Sequence, residues 1–245
     1  MIIYGKNVVK DYLENNKKIY SIKLANNFDD EEIFELIKKR NINVEKIDIK
    51  KINNIESGNH QGIIADVEEY SYIDINEIYD NINSNTLIVI LDHIEDTHNF
   101  GAIIRTCEAA GVDYIVIPND RAVKVNSTVI KTSAGSINNI KIAAVANINN
   151  VINKLKENGV WIAGTTLGNG EEYTQIDYNI PIAIVLGNEG KGISKLTGDL
   201  CDFLIKIPMY GKINSLNVSV ATGIVIYEII RQRKQVLNEQ TRENI

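Results

Sequence analysis

Apolar and polar positions alternate along this chain in two registers. Residues 7–15 and the stretch "DDEEIFELIKKR" (29–40) repeat apolar side chains at helical spacing, with Asp29 or Asp30 near the start of the second. "SIKLAN" (21–26), "NVEKIDI" (43–49) and "HQGIIADVEEY" (60–70) read as strands, the last a β-branched run after a glycine. Together they predict a small α/β unit over residues 1–75. The Asn-rich, acidic segment that follows reads as a linker over 76–85 with room for one short helix.

From residue 86 the pattern changes. "TLIVILD" (86–92) is a near-continuous apolar run, as expected of a parallel strand covered on both faces. "HNFGAIIRTCEAAG" (98–111) follows as a helix closed by Gly111, and "DYIVIP" (113–118) as the next strand. "VWIAGTT", "PIAIVLG" and "FLIKIPM" are further short apolar strands leading into glycine-bearing loops. Parallel sheets receive ligands beyond the carboxyl ends of their strands, so these exits predict a ligand floor within a second domain, 86–245.

Composition narrows the class. The chain has 245 residues, 44% of them hydrophobic, enough for a substantial core. No apolar run has the length of a membrane span, and the N-terminus lacks the pattern of a signal peptide. Two separated cysteines, Cys107 and Cys201, give neither a disulfide framework nor a metal pattern, and His93 and His98 are not spaced as a metal pair. No metal is expected, and the cytoplasm is the expected compartment. The net charge of −6 is concentrated: residues 67–100 carry eight acids and no base, whereas 101–245 carry 15 bases and 13 acids. Phosphate contact depends on local charge, so the total leaves an RNA partner open.

Candidate chemistry lies in three stretches. In "HNFGAIIRTCEAAG", Phe100, Ile103, Ile104 and Cys107 share one helix face, with Arg105 far round from it. A guanidinium there is either a solvated charge or a directed donor to phosphate or ribose; Asn99 reads as the helix N-cap. "LGNEGKGIS" fits neither a phosphate loop nor a dinucleotide fingerprint. Its glycines allow close backbone approach to a ligand, with Glu189 the one carboxylate. "IPMYGKINSLNVSVATGIVIYE" passes from a strand to a helix mouth holding Ser215 and Asn217; capping accounts for Ser215 and leaves Asn217 unexplained.

Taken together, "DTHNFGAIIRTCEAAGVDYIVIP", "IAIVLGNEGKGIS" and "IPMYGKINSLNVSVATGIVIYE" resemble, in order, the three motifs of the SpoU/TrmH family of RNA ribose 2′-O-methyltransferases, within the SPOUT superfamily. The similarity covers about 86–234 and runs through "NDRAVKVNSTVIKTSAGS". "IYGKNVV" and "GNHQGIIA" resemble the ribosomal-protein-like RNA-binding domain of the branch that includes the bacterial 23S rRNA guanosine 2′-O-methyltransferase. The resemblance implies a C-terminal trefoil-knotted parallel α/β domain, S-adenosyl-L-methionine as cofactor, and a homodimer acting on RNA, with no DNA or membrane partner. It further implies catalytic roles for Asn99, Arg105, Glu189, Ser215 and Asn217, and cofactor contacts at Gly187, Ile207 and Leu216. Thr97 departs from the proline common at that place. Lys6, Lys10, Lys38, Lys39 and Arg40 are candidates for phosphate contact, with solvated helix faces the plainer account. A tRNA or other rRNA methyltransferase, and a non-catalytic RNA-binding protein, remain open.

Overall fold

The computed structural model describes residues 1–188 and 192–243, with side chains through 236. The chain forms two compact units. Residues 1–71 and 125–135 make the first, and 72–124 together with 136 onward make the second.

In the first unit the elements run β1 (Ile2–Tyr4), α1 (Lys6–Glu14), β2 (Ile19–Ala25), α2 (Glu31–Arg40), β3 (Val44–Ile47), α3 (Ile49–Ile55) and β4 (Ile63–Val67). The strands form one sheet in the order β1-β4-β2-β3, antiparallel except for the β2–β3 pair. Asp30 caps α2 by accepting from the Ile33 N–H, one of the two aspartates expected there. Ile3, Ile22, Leu24, Ile63 and Val67 are fully buried, the apolar halves of the alternating strands turned inward, and Ile52 of α3 is buried with them.

The second unit is built on a seven-stranded sheet, every neighbouring pair parallel, in the order β7-β6-β5-β10-β8-β11-β9. Its elements begin with α4 (Ile75–Asp80), β5 (Leu87–Asp92), α5 (Thr97–Ala110) and β6 (Tyr114–Pro118). Helix α6 (Ser127–Thr132) belongs to the first unit. Then come β7 (Lys141–Val145), α7 (Ile148–Glu157), β8 (Trp161–Thr165), β9 (Glu171–Glu172), β10 (Ile182–Gly187), α8 (Lys195–Leu200), β11 (Phe203–Lys206) and α9 (Val218–Glu243). All residues of β5 and β10 are buried, as their unbroken apolar runs require. Ile88 and Ile90 of β5 share a core cluster with Val151, Ile152 and Leu155 of α7.

Two readings of the sequence need correction. The segment 76–85 is no free linker: Ile78 of α4 is fully buried in that core cluster, and Ile73 bridges to Ala143 beside β7. The Ile75, Ile78, Tyr79 spacing outweighs the polar composition around it. Helix α9 begins at Val218 rather than at Ser215.

Candidate functional site

Strand β10 lies between β5 and β8, with Gly187 in register with Asp92. The chain thus steps from β5 to β6 on one side and leaves β8 and β11 on the other. Such a switch point opens a crevice at the strand ends. On its β10–β8–β11 side is a partly open cleft, where a parallel sheet receives its ligands. Thr165 and Thr166 enter it from the end of β8, Gly187 and Asn188 from β10, and Ile207 from beyond β11. Ser215 and Leu216 close it ahead of α9, whose Ala221 and Val225 form its apolar wall. The three expected strand exits therefore converge, and Gly187, Ile207, Ser215 and Leu216 share one cleft.

The loop after β10 closes on itself. Asn188 and Gly192 exchange main-chain hydrogen bonds at 3.1 and 2.7 Å. A Cβ on Gly187 would lie 2.0 Å from the Gly192 carbonyl carbon and 2.1 Å from the Ile193 nitrogen. Only glycine lets these two backbones touch. Glu189 falls outside the described residues.

Helix α5 positions the remaining candidates. Phe100, Ile103, Ile104 and Cys107 are all buried with no measurable exposure, and Arg105 is exposed, as helical spacing predicts. The N-cap is Asp96, whose carboxylate accepts from the Asn99 N–H at 2.8 Å. Asn99 is thus released from capping, and its Oδ1 accepts from Asn217 Nδ2 at 2.9 Å. Asn217, not Ser215, holds the mouth of α9: its Oδ1 accepts from the Ser219 N–H at 2.9 Å and its carbonyl from the Ala221 N–H. One side chain therefore both starts α9 and ties it to the first turn of α5. Further along, Gly223 lies 3.6 Å, measured from a Cβ position, from the Thr106 methyl.

Burial pushes the Cys107 thiol far above its usual range and the Cys201 thiol up to about 11. Neither is a thiolate nucleophile at neutral pH. Among the described residues no cluster of His, Cys, Asp and Glu could hold a metal ion, and no helix is long and apolar enough to cross a membrane.

The basic residues of the first unit read differently in three dimensions. Lys6 pairs with Asp30 at 3.0 Å and Lys10 with Glu32 at 2.6 Å. Arg40 donates to the carbonyls of Tyr12, Leu13 and Lys17 at 2.6–3.3 Å. It is a clamp on the end of α1, which its positive charge complements. Lys38 and Lys39 remain exposed.

Fold and cleft together define a parallel α/β protein that takes a small ligand at its strand exits against backbone and apolar side chains. The chain belongs to the SpoU rRNA methylase family, whose model matches residues 86–227; residues 2–73 match the RNA 2′-O ribose methyltransferase substrate-binding domain. It is 40% identical over 240 residues, 96% of each chain, to a Bacillus subtilis protein named as a TrmH-family tRNA/rRNA methyltransferase, YacO. The S-adenosylmethionine-bound rRNA methyltransferase of Sinorhizobium meliloti superposes with a TM-score of 0.80 at 28% identity, covering 94% of this chain and 86% of that one. AviRb of Streptomyces viridochromogenes shares the fold, with a TM-score of 0.81 at 21% identity and coverage of 96% and 91%.

Proposed function

We propose that this protein transfers a methyl group from S-adenosyl-L-methionine to a ribose 2′-hydroxyl of RNA, on a guanosine of 23S rRNA, in the cytoplasm. One observation carries the reading: residues from separate motifs, Gly187, Ile207, Ser215 and Leu216, come together in one cleft. The cleft suits the cofactor. Gly187 lets the backbone of Gly192 and Ile193 close against β10 at its wall, and Leu186, Leu216 and Val225 offer apolar surface to an adenosine. When bound, the cofactor supplies a methyl group already activated on a sulfonium.

The protein's part is alignment and the handling of one proton. Holding two reactants in line can lower a barrier by about 7–11 kcal/mol. The ribose hydroxyl is a weak nucleophile, so negative charge growing on its oxygen needs a stabilising donor. Arg105 takes that role. A guanidinium beside phosphate stays protonated, so it orients the phosphate and steadies the oxyanion while phosphate or water receives the proton. Asn99 and Asn217, bonded to each other, fix the two helix starts; with Ser215 and Glu189 they position ribose and cofactor. The reading includes a trefoil knot closed by the loop after β10, which the insertion of β10 between β5 and β8 supports. It includes a homodimer, supported by Val220 and Tyr227, exposed seven residues apart on one face of α9. The first unit serves as the substrate-RNA domain.

Arg105→Ala should lower turnover on the order of 10²–10³-fold, as removal of one oxyanion donor does elsewhere, with calorimetric cofactor affinity preserved. Wild-type turnover by that variant would remove Arg105 from the mechanism. Mapping 2′-O-methyl groups in total RNA with and without the gene identifies the substrate. Loss of one 23S guanosine methylation supports the reading, loss from tRNA moves the substrate, and no change refutes it.

A further inference from the structure

A second cavity, of about 300 Å³, lies on the other side of the switch point, lined by Asp92, His93, Arg121, Asn147, Asn149 and Ser194 among others. It shares no lining residue with the cofactor cleft, although the loop after β10 borders both. His93 joins them mechanically: its carbonyl accepts from the Asn188 side chain at 3.2 Å, and Asn188 lines the cleft.

A hydrogen-bond account of the cavity leaves mainly donors. Asp92 is buried and has both oxygens engaged, Oδ1 with His93 Nδ1 and Oδ2 with the Ser194 N–H at 3.0 Å. The imidazole is thereby oriented with Nε2 left over, a donor in the imidazolium form. Asn147 spends its oxygen on the N–H groups of Asn149 and Asn150. Asn149 spends its oxygen on the Thr197 hydroxyl at 3.0 Å. What the two side chains still offer is NH₂. Ser194 and Thr197 are bonded to each other. Arg121 is exposed, and no ion pair holds it among the described residues. The charged acceptor left in the lining is the carboxylate of Asp120, itself exposed.

We infer that this cavity is a second RNA subsite, in which Arg121 and His93 hold a phosphodiester flanking the methylated ribose; the inference rests on the RNA reading above. A ring of donors around a guanidinium matches a phosphate's acceptor oxygens. Asp120 favours a singly charged phosphodiester over a doubly charged terminal phosphate. The bond from Asn188 to His93 would couple correct seating of the strand to the loop that walls the cofactor cleft.

The test is equilibrium binding of a fluorescent single-stranded RNA oligonucleotide across a salt series, which needs no methyl transfer. His93 and Arg121 both have left-handed backbone, φ 60 and 53, so each is replaced by Asn, which tolerates it. Arg121→Asn should weaken binding roughly ten-fold or more, by similar factors across RNA sequences. It should also flatten the slope of log affinity against log salt by about 0.7, one phosphate contact on a single strand. His93→Asn should weaken binding in the same direction by a smaller factor. Both variants should bind S-adenosylmethionine as wild type does, which shows the fold intact. Unchanged RNA affinity, or a loss that depends on sequence while the salt slope stays fixed, overturns the phosphate subsite. Wild-type RNA binding and salt slope in Arg121→Asn, beside a methylation defect in Arg105→Ala, would sink this inference and leave the proposed reaction standing.

Discussion

Particular cations of the two units are used in opposite ways. In the first, Lys6, Lys10 and Lys23 each lie within 3.0 Å of a carboxylate, and Arg40 is absorbed by three carbonyls. In the second, Lys141, Lys154, Lys156 and Arg231 are also paired with carboxylates, whereas Arg105, Arg121 and Lys206 are in no ion pair among the described residues. Yet the first unit carries the denser cluster of basic residues in the sequence. Charge becomes available to a phosphate where the fold leaves it unspent, and counting lysines does not reveal where that is.

Glycine is likewise selected in two ways. Gly5 and Gly62 of the first unit have φ near +93 and +80, so turn geometry selects them. Gly187 of the second has no positive φ, and contact alone selects it, with backbone atoms 2.0–2.3 Å from any added Cβ. Gly187→Ala should therefore give the largest effect in the molecule, about 4 kcal/mol or more of lost stability. Gly111→Ala, at φ +74 with nothing near its Cβ position, should cost only about 1 kcal/mol. Trp161, the single tryptophan, sits in β8 and reports unfolding of the second unit in urea. Equal midpoints for the two variants would break the steric account.

Arg40→Met sharpens the charge comparison. The variant keeps the apolar stem but removes donors from three carbonyls around the end of α1, and about 2–3 kcal/mol should be lost. The loss should appear in hydrogen exchange of the α1 amides, with RNA binding per folded molecule unchanged. A selective RNA-binding defect in a fully stable variant would return Arg40 to the phosphate-contacting class.

Asn217 separates capping from positioning. Asn217→Ala removes both the cap of α9 and the bond to Asn99, and should cost about 1–2 kcal/mol. Asn217→Asp keeps the capping oxygen and loses only the NH₂ that reaches Asn99. Thermal stability near wild type with turnover well below it is the expected outcome for the Asp variant. Full turnover would reduce Asn217 to a helix cap.

That residue also marks how far the sequence could be read. The strands β5 and β10 and the buried face of α5 follow from apolar pattern alone, because burial on one face is a local property of spacing. The convergence of three strand exits followed from parallel-sheet geometry. The identity of the caps did not: Asp96 and Asn99 compete three residues apart, Asp96 takes the cap, and Asn99 is then used in a long-range bond to Asn217 that no local pattern shows. Helix α7 was legible but unread, with Ile148, Val151, Ile152 and Leu155 at helical spacing behind the cap Asn147. The insertion of β10 between β5 and β8 is a non-local pairing that no local pattern encodes. The Asp92–His93 pair is adjacent in sequence, but its cavity is assembled from the ends of β5, β6 and β7 and the start of α8.

The smallest expected effect tests how much one paired cation of the second unit contributes to stability. Arg231 donates from Nε and Nη2 to both oxygens of Glu228, each at 2.7 Å, and Gln232 adds a third bond at 2.8 Å. The Arg231 hydrogen bond, ahead of the one from Gln232, holds the Glu228 carboxyl below its usual range against the opposing cost of burial. The sign follows from linkage. A carboxyl whose folded pKa is depressed contributes stability above its unfolded value, and that contribution is lost as pH falls through the folded one. Glu228→Gln cannot titrate, so its urea midpoint should fall less steeply than wild type between roughly pH 5 and pH 3. Arg231 is half exposed, so solvent screening keeps the difference small. Superimposable acid profiles would show that this pair, for all its geometry, adds no measurable pH-dependent stability.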